Sequence, residues 1–256
     1  MTASTECRLL LDPPASGAWN MAVDDMLLEW SAERGGCCWR FYGWQQATLS
    51  LGYFQQYAQR QQHPSSRDCP AVRRLTGGGA IVHDAELTYS LVVPSGHRLA
   101  ARQSLLYETV HASLIEALAD MGIPAALCRQ PASLPAAAEP FLCFQRRTLG
   151  DVLLSETKIA GSAQRRRRGA VLQHGSVLLR GSPAAPELAA VEELTGRVFT
   201  PEKFAEIWLP KALGRLALFG RPQLLSPHEQ GRAAALLKIR YSRRRWTESR
   251  ARDCAE

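Results

Sequence analysis

Between residues 148 and 179 the chain holds three strand-like segments, 148–154, 158–164 and 171–179, joined by connections too short for a helix. Parallel neighbours need a crossover of about a dozen residues or more, so these segments predict an antiparallel meander. Any fold of this chain must be built around that unit. The remaining pattern is strand-like early and helical late, with no regular β-α-β alternation, which predicts an α+β fold.

Ser16 stands as an N-cap ahead of a helix reaching about Arg34, with Trp19, Ala22, Val23, Met26 and Trp30 on its apolar side. Residues 39–42 and 47–53 read as strands, with Gly43-Trp44 near the turn between them. Residues 55–68 read as a loop or short helix, and 71–74 and 87–93 as strands that bracket a glycine-rich loop. Leu105, Leu106, Val110, Leu114, Ile115 and Leu118 predict an amphipathic helix over 104–121, ended by Gly122. The stretch 131–140, rich in Pro and Ala, predicts an irregular loop that delivers Cys143. Thr200-Pro201 and Ser226-Pro227-His228-Glu229 are helix starts of the N-cap-then-proline kind, the second a complete capping box. No repeat or linker interrupts the pattern, so residues 1–256 are expected to form a single domain with a core at about 17–246.

Hydrophobic residues make up 46% of the chain and charged residues 21%, which argues against disorder and fits a globular enzyme. The apolar runs are strand-sized, far short of the roughly 20 residues a membrane helix needs. Residues 1–6 carry neither a basic n-region nor an apolar h-region. A cytoplasmic protein with no membrane association is expected. The 7 cysteines include no C-x-x-C pair and the 6 histidines no H-x-x-x-H pair, so neither a metal site nor a redox motif is expected. The net charge of +7 is concentrated in Arg165, Arg166, Arg167 and Arg168 and in the arginines between 240 and 252. Such clusters steer acidic partners, either nucleic acid or an acidic carrier protein. Without interleaved aromatics or a recognised motif, nucleic acid is not expected.

Two regions carry chemistry. Arg73-Arg74-Leu75-Thr76-Gly77-Gly78-Gly79 is neither a P-loop nor a dinucleotide fingerprint. Three consecutive glycines let backbone approach a ligand where a side chain would intrude. Alone, such a triplet is more often a hairpin turn, but the flanking Arg73, Arg74, His83 and Asp84 point to a binding site. Downstream, Cys143-Phe144 precedes Lys158-Ile159-Ala160-Gly161-Ser162-Ala163-Gln164. Most cysteines are buried and inert. A lysine set among small apolar strand residues, however, is unusual without a partner or a role. An ammonium beside a thiol favours the thiolate, and it can also hold a carbonyl oxygen as charge develops there. A thiol, an ammonium and a glycine-walled pocket are the parts needed to carry an acyl group as a thioester. His174-Gly175 fits a site-lining turn and a satisfied core histidine equally well. The run Arg165 to Arg168 reads as a solvated loop at the rim of this site.

From about Trp19 to Trp246 the sequence resembles the biotin/lipoate ligase and lipoyl(octanoyl) transferase family. Residues 73–79 through His83-Asp84, with Glu86-Leu87-Thr88-Tyr89-Ser90, look like the family's acyl-pocket motif. Residues 158–164 look like its lysine motif, and Leu172-Gln173-His174-Gly175-Ser176 like the strand that follows. Cys143-Phe144 resembles the transferase branch, which carries a Cys-Phe about this far ahead of the lysine. Ligases of the family need no cysteine, because they activate the acid as an adenylate, and they usually carry a C-terminal accessory domain. Arg40-Phe41-Tyr42-Gly43-Trp44 and the ending 241–246 also resemble the transferase branch.

The resemblance implies a mixed, largely antiparallel β-sheet flanked by helices, and an octanoyltransferase. Cys143 and Lys158 would be catalytic. Arg73, Arg74, Gly77, Gly78, Gly79, His83, Gly161, Ser162, His174 and Gly175 would bind the substrate. Acyl-carrier protein would be the donor, and a lipoyl domain or the glycine cleavage H protein the acceptor. Thioester-to-amide transfer is downhill, so no cofactor, ATP or metal is expected. About seven buried methylenes, at about 0.8 kcal/mol each, would supply roughly 5 kcal/mol of binding to the acyl chain. The alternative is an ATP-dependent lipoate or biotin ligase without an accessory domain.

Overall fold

The computed structural model describes residues 5–131 and 139–250. Its strands are β1 (Thr5–Leu11), β2 (Cys37–Tyr42), β3 (Thr48–Leu51), β4 (Ala71–Arg73), β5 (Ile81–His83) and β6 (Glu86–Val93). They continue with β7 (Ala125–Leu127), β8 (Val152–Leu154), β9 (Thr157–Arg167), β10 (Ala170–Leu178) and β11 (Leu218–Pro222). An eight-stranded sheet has the order β11-β1-β2-β6-β10-β9-β8-β7, and β4-β3-β5 form a smaller sheet. In the large sheet β11, β1 and β2 run parallel and every other neighbour antiparallel, the mixed and largely antiparallel arrangement expected.

The meander is present as β8-β9-β10. Its first strand is shorter than the sequence suggests, because 148–151 form a turn in which Asp151 accepts the Thr148 N–H at 2.7 Å and Gly150 adopts φ +84°. The arginine run corrects the expectation of a loop. β9 continues through Arg167, and only Arg168 (φ +46°) and Gly169 (φ +83°) make the turn into β10. The extra strand length holds because each arginine finds a partner on its own side of the ladder. Arg165 lies over the Tyr53 ring, Arg166 donates to the Ala100 carbonyl, and Arg167 pairs with Asp25 at 3.0 Å and Glu29 at 2.9 Å.

The α-helices are α1 (Gly17–Arg34), α2 (Gln103–Asp120), α3 (Val191–Thr195), α4 (Pro201–Leu216), α5 (Pro227–Leu236) and α6 (Arg244–Ser249). Ser16 caps α1 by accepting the Trp19 N–H at 3.3 Å, and Ser226 with Glu229 forms the anticipated capping box on α5. The stretch 131–140 falls mostly on residues outside the described set. Strand alternation divides the core between two faces. Leu91 and Val93 of β6 pack with Val110 and Leu114 of α2 and with Phe204 and Trp208 of α4. Val92 turns the other way, into a cluster with Leu27 of α1, Leu236 of α5 and Trp246 of α6. With helices over both faces, every residue of β6 is buried. Among the described residues, no helix is long and apolar enough to cross a membrane.

Candidate functional site

The glycine loop and the cysteine are stitched into one unit at the end of the meander. The Ala80 N–H donates to the Phe141 carbonyl at 3.0 Å, and the Cys143 N–H donates to the Ala80 carbonyl at 2.7 Å. Gly79 permits this approach, since a Cβ there would lie 3.1 Å from the backbone of both Cys143 and Phe141. Gly78, at φ +91°, turns its carbonyl against Gly52, where a Cβ would come within 2.0 Å of that oxygen. Cys143 opens a short 3-10 turn and is half-buried. Burial pushes the thiols of Cys37 and Cys38, remote in the core, up to about 11 and about 12.

Lys158 of β9 is 4% exposed and reaches the thiol by arching across Gly161. A Cβ on Gly161 would sit 2.5 Å from the lysine Cε and 2.8 Å from Nζ. The ammonium then has one acceptor for each of its three N–H bonds: Asp151 Oδ2 at 2.8 Å, the Cys143 carbonyl at 3.4 Å and Cys143 Sγ at 3.8 Å. Asp151, which the sequence reading did not single out, is itself fully buried. Unit charges about 4 Å apart interact by about 4 kcal/mol at an effective dielectric of about 20, and a carboxylate on the far side of the ammonium cancels part of that field. Lys158 is therefore an oriented donor held between carboxylate and sulfur rather than a bare charge. The signal in the sequence was the lysine itself, since a buried ammonium demands a carboxylate.

Arg74 lies buried beneath the glycine loop and spends its N–H bonds on neutral oxygens. Nη2 donates to the carbonyls of Gly77 at 2.8 Å and Gly79 at 2.7 Å, Nη1 to the Ser50 carbonyl at 2.8 Å, and Nε to Thr76 Oγ1 at 3.1 Å. Burial pushes this guanidinium down to about 10, opposed by the nearby Cys143, so it stays charged at neutral pH. Arg73 points away from the cavity. It donates to the carbonyls of Gly52, Tyr53 and Gln55 and, on α6, to those of Thr247 and Glu248.

His174 is a buried link between α1 and the loop. Nδ1 donates to Asp24 Oδ2 at 2.9 Å, and Nε2 accepts the Thr76 hydroxyl at 2.7 Å. Burial lowers its affinity for a proton in spite of Asp24, which keeps the ring neutral. His83 stacks on Trp44 at 3.9 Å and bonds Glu86 Oε1 at 2.5 Å, where Ser176 and Thr88 also donate.

These groups surround a cavity of about 480 Å³, counted with its mouth. Of the residues expected from sequence, Arg74, Gly78, His83, Cys143, Gly161, Ser162, His174 and Gly175 line it. Met21, Tyr42, Ile81 and Phe144, which were not among the expected site residues, contribute apolar surface. Arg73, Gly77 and Gly79 shape the loop without lining the cavity, and Lys158 stands behind the thiol. None of the four consecutive arginines reaches the cavity wall. Among the described residues, no cluster of three or more His, Cys, Asp or Glu side chains is placed to hold a metal ion. The arrangement can accept an acyl group on sulfur, with Lys158 beside the carbonyl oxygen that would form there.

The family described as "Lipoyl protein ligase A/B catalytic domain" matches residues 16–206. The octanoyltransferase LipM of Oceanobacillus iheyensis is 36% identical over 175 residues, which span 66% of this chain and 63% of that protein. The octanoyltransferase LipM of Bacillus subtilis is 36% identical over 173 residues, 64% of this chain and 62% of that protein. The chain thus covers less than two thirds of the length of either relative. The octanoyltransferase LipM of Bacillus anthracis is 30% identical over 263 residues, covering 90% of this chain and 94% of its own. Among solved structures, a bi-partite lipoate protein ligase from Thermoplasma acidophilum superposes with a TM-score of 0.77 at 20% identity, covering 98% of this chain and 100% of that one. A lipoate-protein ligase A bound with ATP gives 0.73 at 22% identity, with 95% and 99% covered. At these identities the structural likeness is one of fold.

Proposed function

The chain belongs to the lipoyl protein ligase A/B catalytic domain family, and on that premise we propose that it is an octanoyltransferase working through a thioester on Cys143. One observation carries the reading. The half-buried thiol sits at the wall of the cavity with the Lys158 ammonium 3.8 Å from its sulfur. Adenylate chemistry gives a thiol in that position nothing to do.

In the first half-reaction Cys143 Sγ attacks the thioester carbonyl of octanoyl-carrier protein. The new S–C bond replaces the bond to the carrier sulfur, and the thiol proton leaves with the carrier thiol. Lys158 is within reach of the oxygen on which charge accumulates, where a fixed donor is most effective. In the second half-reaction the ε-amine of a lipoyl-domain lysine attacks the acyl-enzyme. An amide forms, the S–C bond breaks, and the amine proton returns to Cys143. No ATP enters either step.

Intact mass of the enzyme after mixing with octanoyl-carrier protein, without ATP, tests the reading. One octanoyl adduct is expected on the wild type, labile to hydroxylamine and absent from Cys143→Ala. Full transfer by Cys143→Ala, or acylation that requires ATP, would overturn it in favour of a ligase.

A further inference from the structure

Tyr107 and His111 lie four residues apart on α2 and so project from the same side of the helix. Both face the 148–151 turn and β9, and neither lines the cavity. The Tyr107 hydroxyl donates to Asp151 Oδ1 at 2.7 Å and accepts the Ser162 N–H at 3.2 Å. Its ring also packs on Gly150, where a Cβ would lie 3.0 Å away. His111 Nδ1 is 2.6 Å from the Gly150 carbonyl and Nε2 is 2.7 Å from Ser162 Oγ.

The protons in this cluster can be assigned from chemistry alone. A carbonyl only accepts, so Nδ1 of His111 carries the hydrogen. Burial keeps the ring neutral, so Nε2 has a lone pair and takes the Ser162 hydroxyl proton. Ser162 Oγ in turn accepts from Tyr89 at 2.7 Å, Tyr89 from Gln173 Nε2 at 2.7 Å, and Gln173 Oε1 from Gln164 Nε2 at 2.7 Å. The chain of donors runs one way, from Gln164 to the Gly150 carbonyl. Reversing any link leaves two donors or two acceptors facing each other. Ser162 has one hydroxyl proton and it is committed to His111, so this side chain can offer an acyl group only a lone pair.

We propose that Tyr107 and His111 are positioning residues for the lysine–thiol pair. Tyr107 holds Oδ1 of Asp151, which turns Oδ2 toward Lys158. His111 fixes the peptide carbonyl just before Asp151 and, through Ser162, the stretch of β9 across which Lys158 arches. The inference rests on the thioester reading of Cys143 and specifies which groups outside the cavity keep that site aligned.

Tyr107→Phe keeps the ring on Gly150 and removes only the hydroxyl. His111→Asn keeps a donor for the Gly150 carbonyl and removes the acceptor for Ser162. Each is assayed for single-turnover acylation by a small octanoyl thioester, and for the pH midpoint of Cys143 alkylation by iodoacetamide. The acylation rate is expected to fall about tenfold with little change in KM, because neither residue touches substrate. The alkylation midpoint is expected to rise as Lys158 drifts from the sulfur. Should Tyr107→Phe fail to fold, His111→Asn carries the same test. Rates within twofold of wild type with an unshifted midpoint would overturn the positioning role. Absence of acylation at Cys143 in the wild type would overturn the thioester reading and the inference together.

Discussion

Burial of His111 makes acid stability a direct readout of the network behind the site. Its ring is buried and its affinity for a proton is pushed down to about 4 from an ordinary 6.5, with Asp151 opposing that shift and Lys158 adding to it. Above pH 6.5 the imidazole is neutral whether the chain is folded or not, so the stability its neutral form supports is fully present. Between pH 6.5 and about 4 only the unfolded chain takes up the proton, and stability is lost as pH falls. Below about 4 both forms are protonated and the loss levels off. Integrated from pH 7 to pH 5, the cost is about 2 kcal/mol, at a slope of no more than about 1.4 kcal/mol per pH unit. His174 and His97 are lowered by burial as well, so the whole protein should lose more than this. The quantity to read is a double difference. Urea unfolding of wild type and of His111→Asn, each at pH 7 and pH 5, should show a loss smaller in the variant by about 2 kcal/mol. Comparing each protein with itself removes any general weakening by the substitution. Equal losses in the two proteins would refute the reasoning, since His111 would then already exchange its proton freely in the native state.

Two other outcomes follow from the geometry of the lysine. Gly161→Ala places a methyl 2.5 Å from the Lys158 Cε, and a displacement of about 1 Å at a reacting group can cost about 100-fold in rate. Octanoyl transfer should fall to that extent while the protein still unfolds cooperatively in urea, and transfer within threefold of wild type would show that the lysine has another route to the sulfur. Asp151→Asn leaves the buried Lys158 ammonium without a counter-charge, which should cost about 3–5 kcal/mol in urea unfolding at neutral pH. A loss below about 1 kcal/mol would mean that the ammonium is not held by this pair.

The local devices of the fold were legible because their causes are local. Ser16 and the Ser226–Glu229 box act within four residues, and the meander declares itself by connections too short for any other arrangement. The strand that continues through Arg167 was not legible, since three arginines look solvated until Asp25, Glu29, Tyr53 and the Ala100 carbonyl are brought against them from other elements. β1 and β11 were missed for a related reason: their parallel pairing joins Thr5–Leu11 to Leu218–Pro222, and neither segment signals the other. At the site, Cys143 and Lys158 were visible as an odd residue type in an odd setting. Asp151 meets Lys158 only when the β8–β9 hairpin closes. Tyr107 and His111 sit on a helix whose leucines dominate the pattern. The glycines at 161 and 79 act by the space they leave empty, and a sequence does not say who fills it.

The Arg73 guanidinium draws together carbonyls at 52, 53 and 55 and others at 247 and 248, while the Trp246 indole returns a hydrogen bond to the Arg73 carbonyl. The contact from Arg73 to Thr247 spans 174 positions of the chain. A ribosome adding about 5–20 residues per second needs about 10–35 s to cross that interval. During that time the segment bearing Gly77, Gly78 and Gly79 has been made together with the acceptors at 52, 53 and 55, but the two acceptors on α6 have not. Completion of the base of the glycine loop is thus tied to the arrival of α6. A polypeptide that stops before α6 would present Cys143 beside a glycine loop whose base is clamped from one side only.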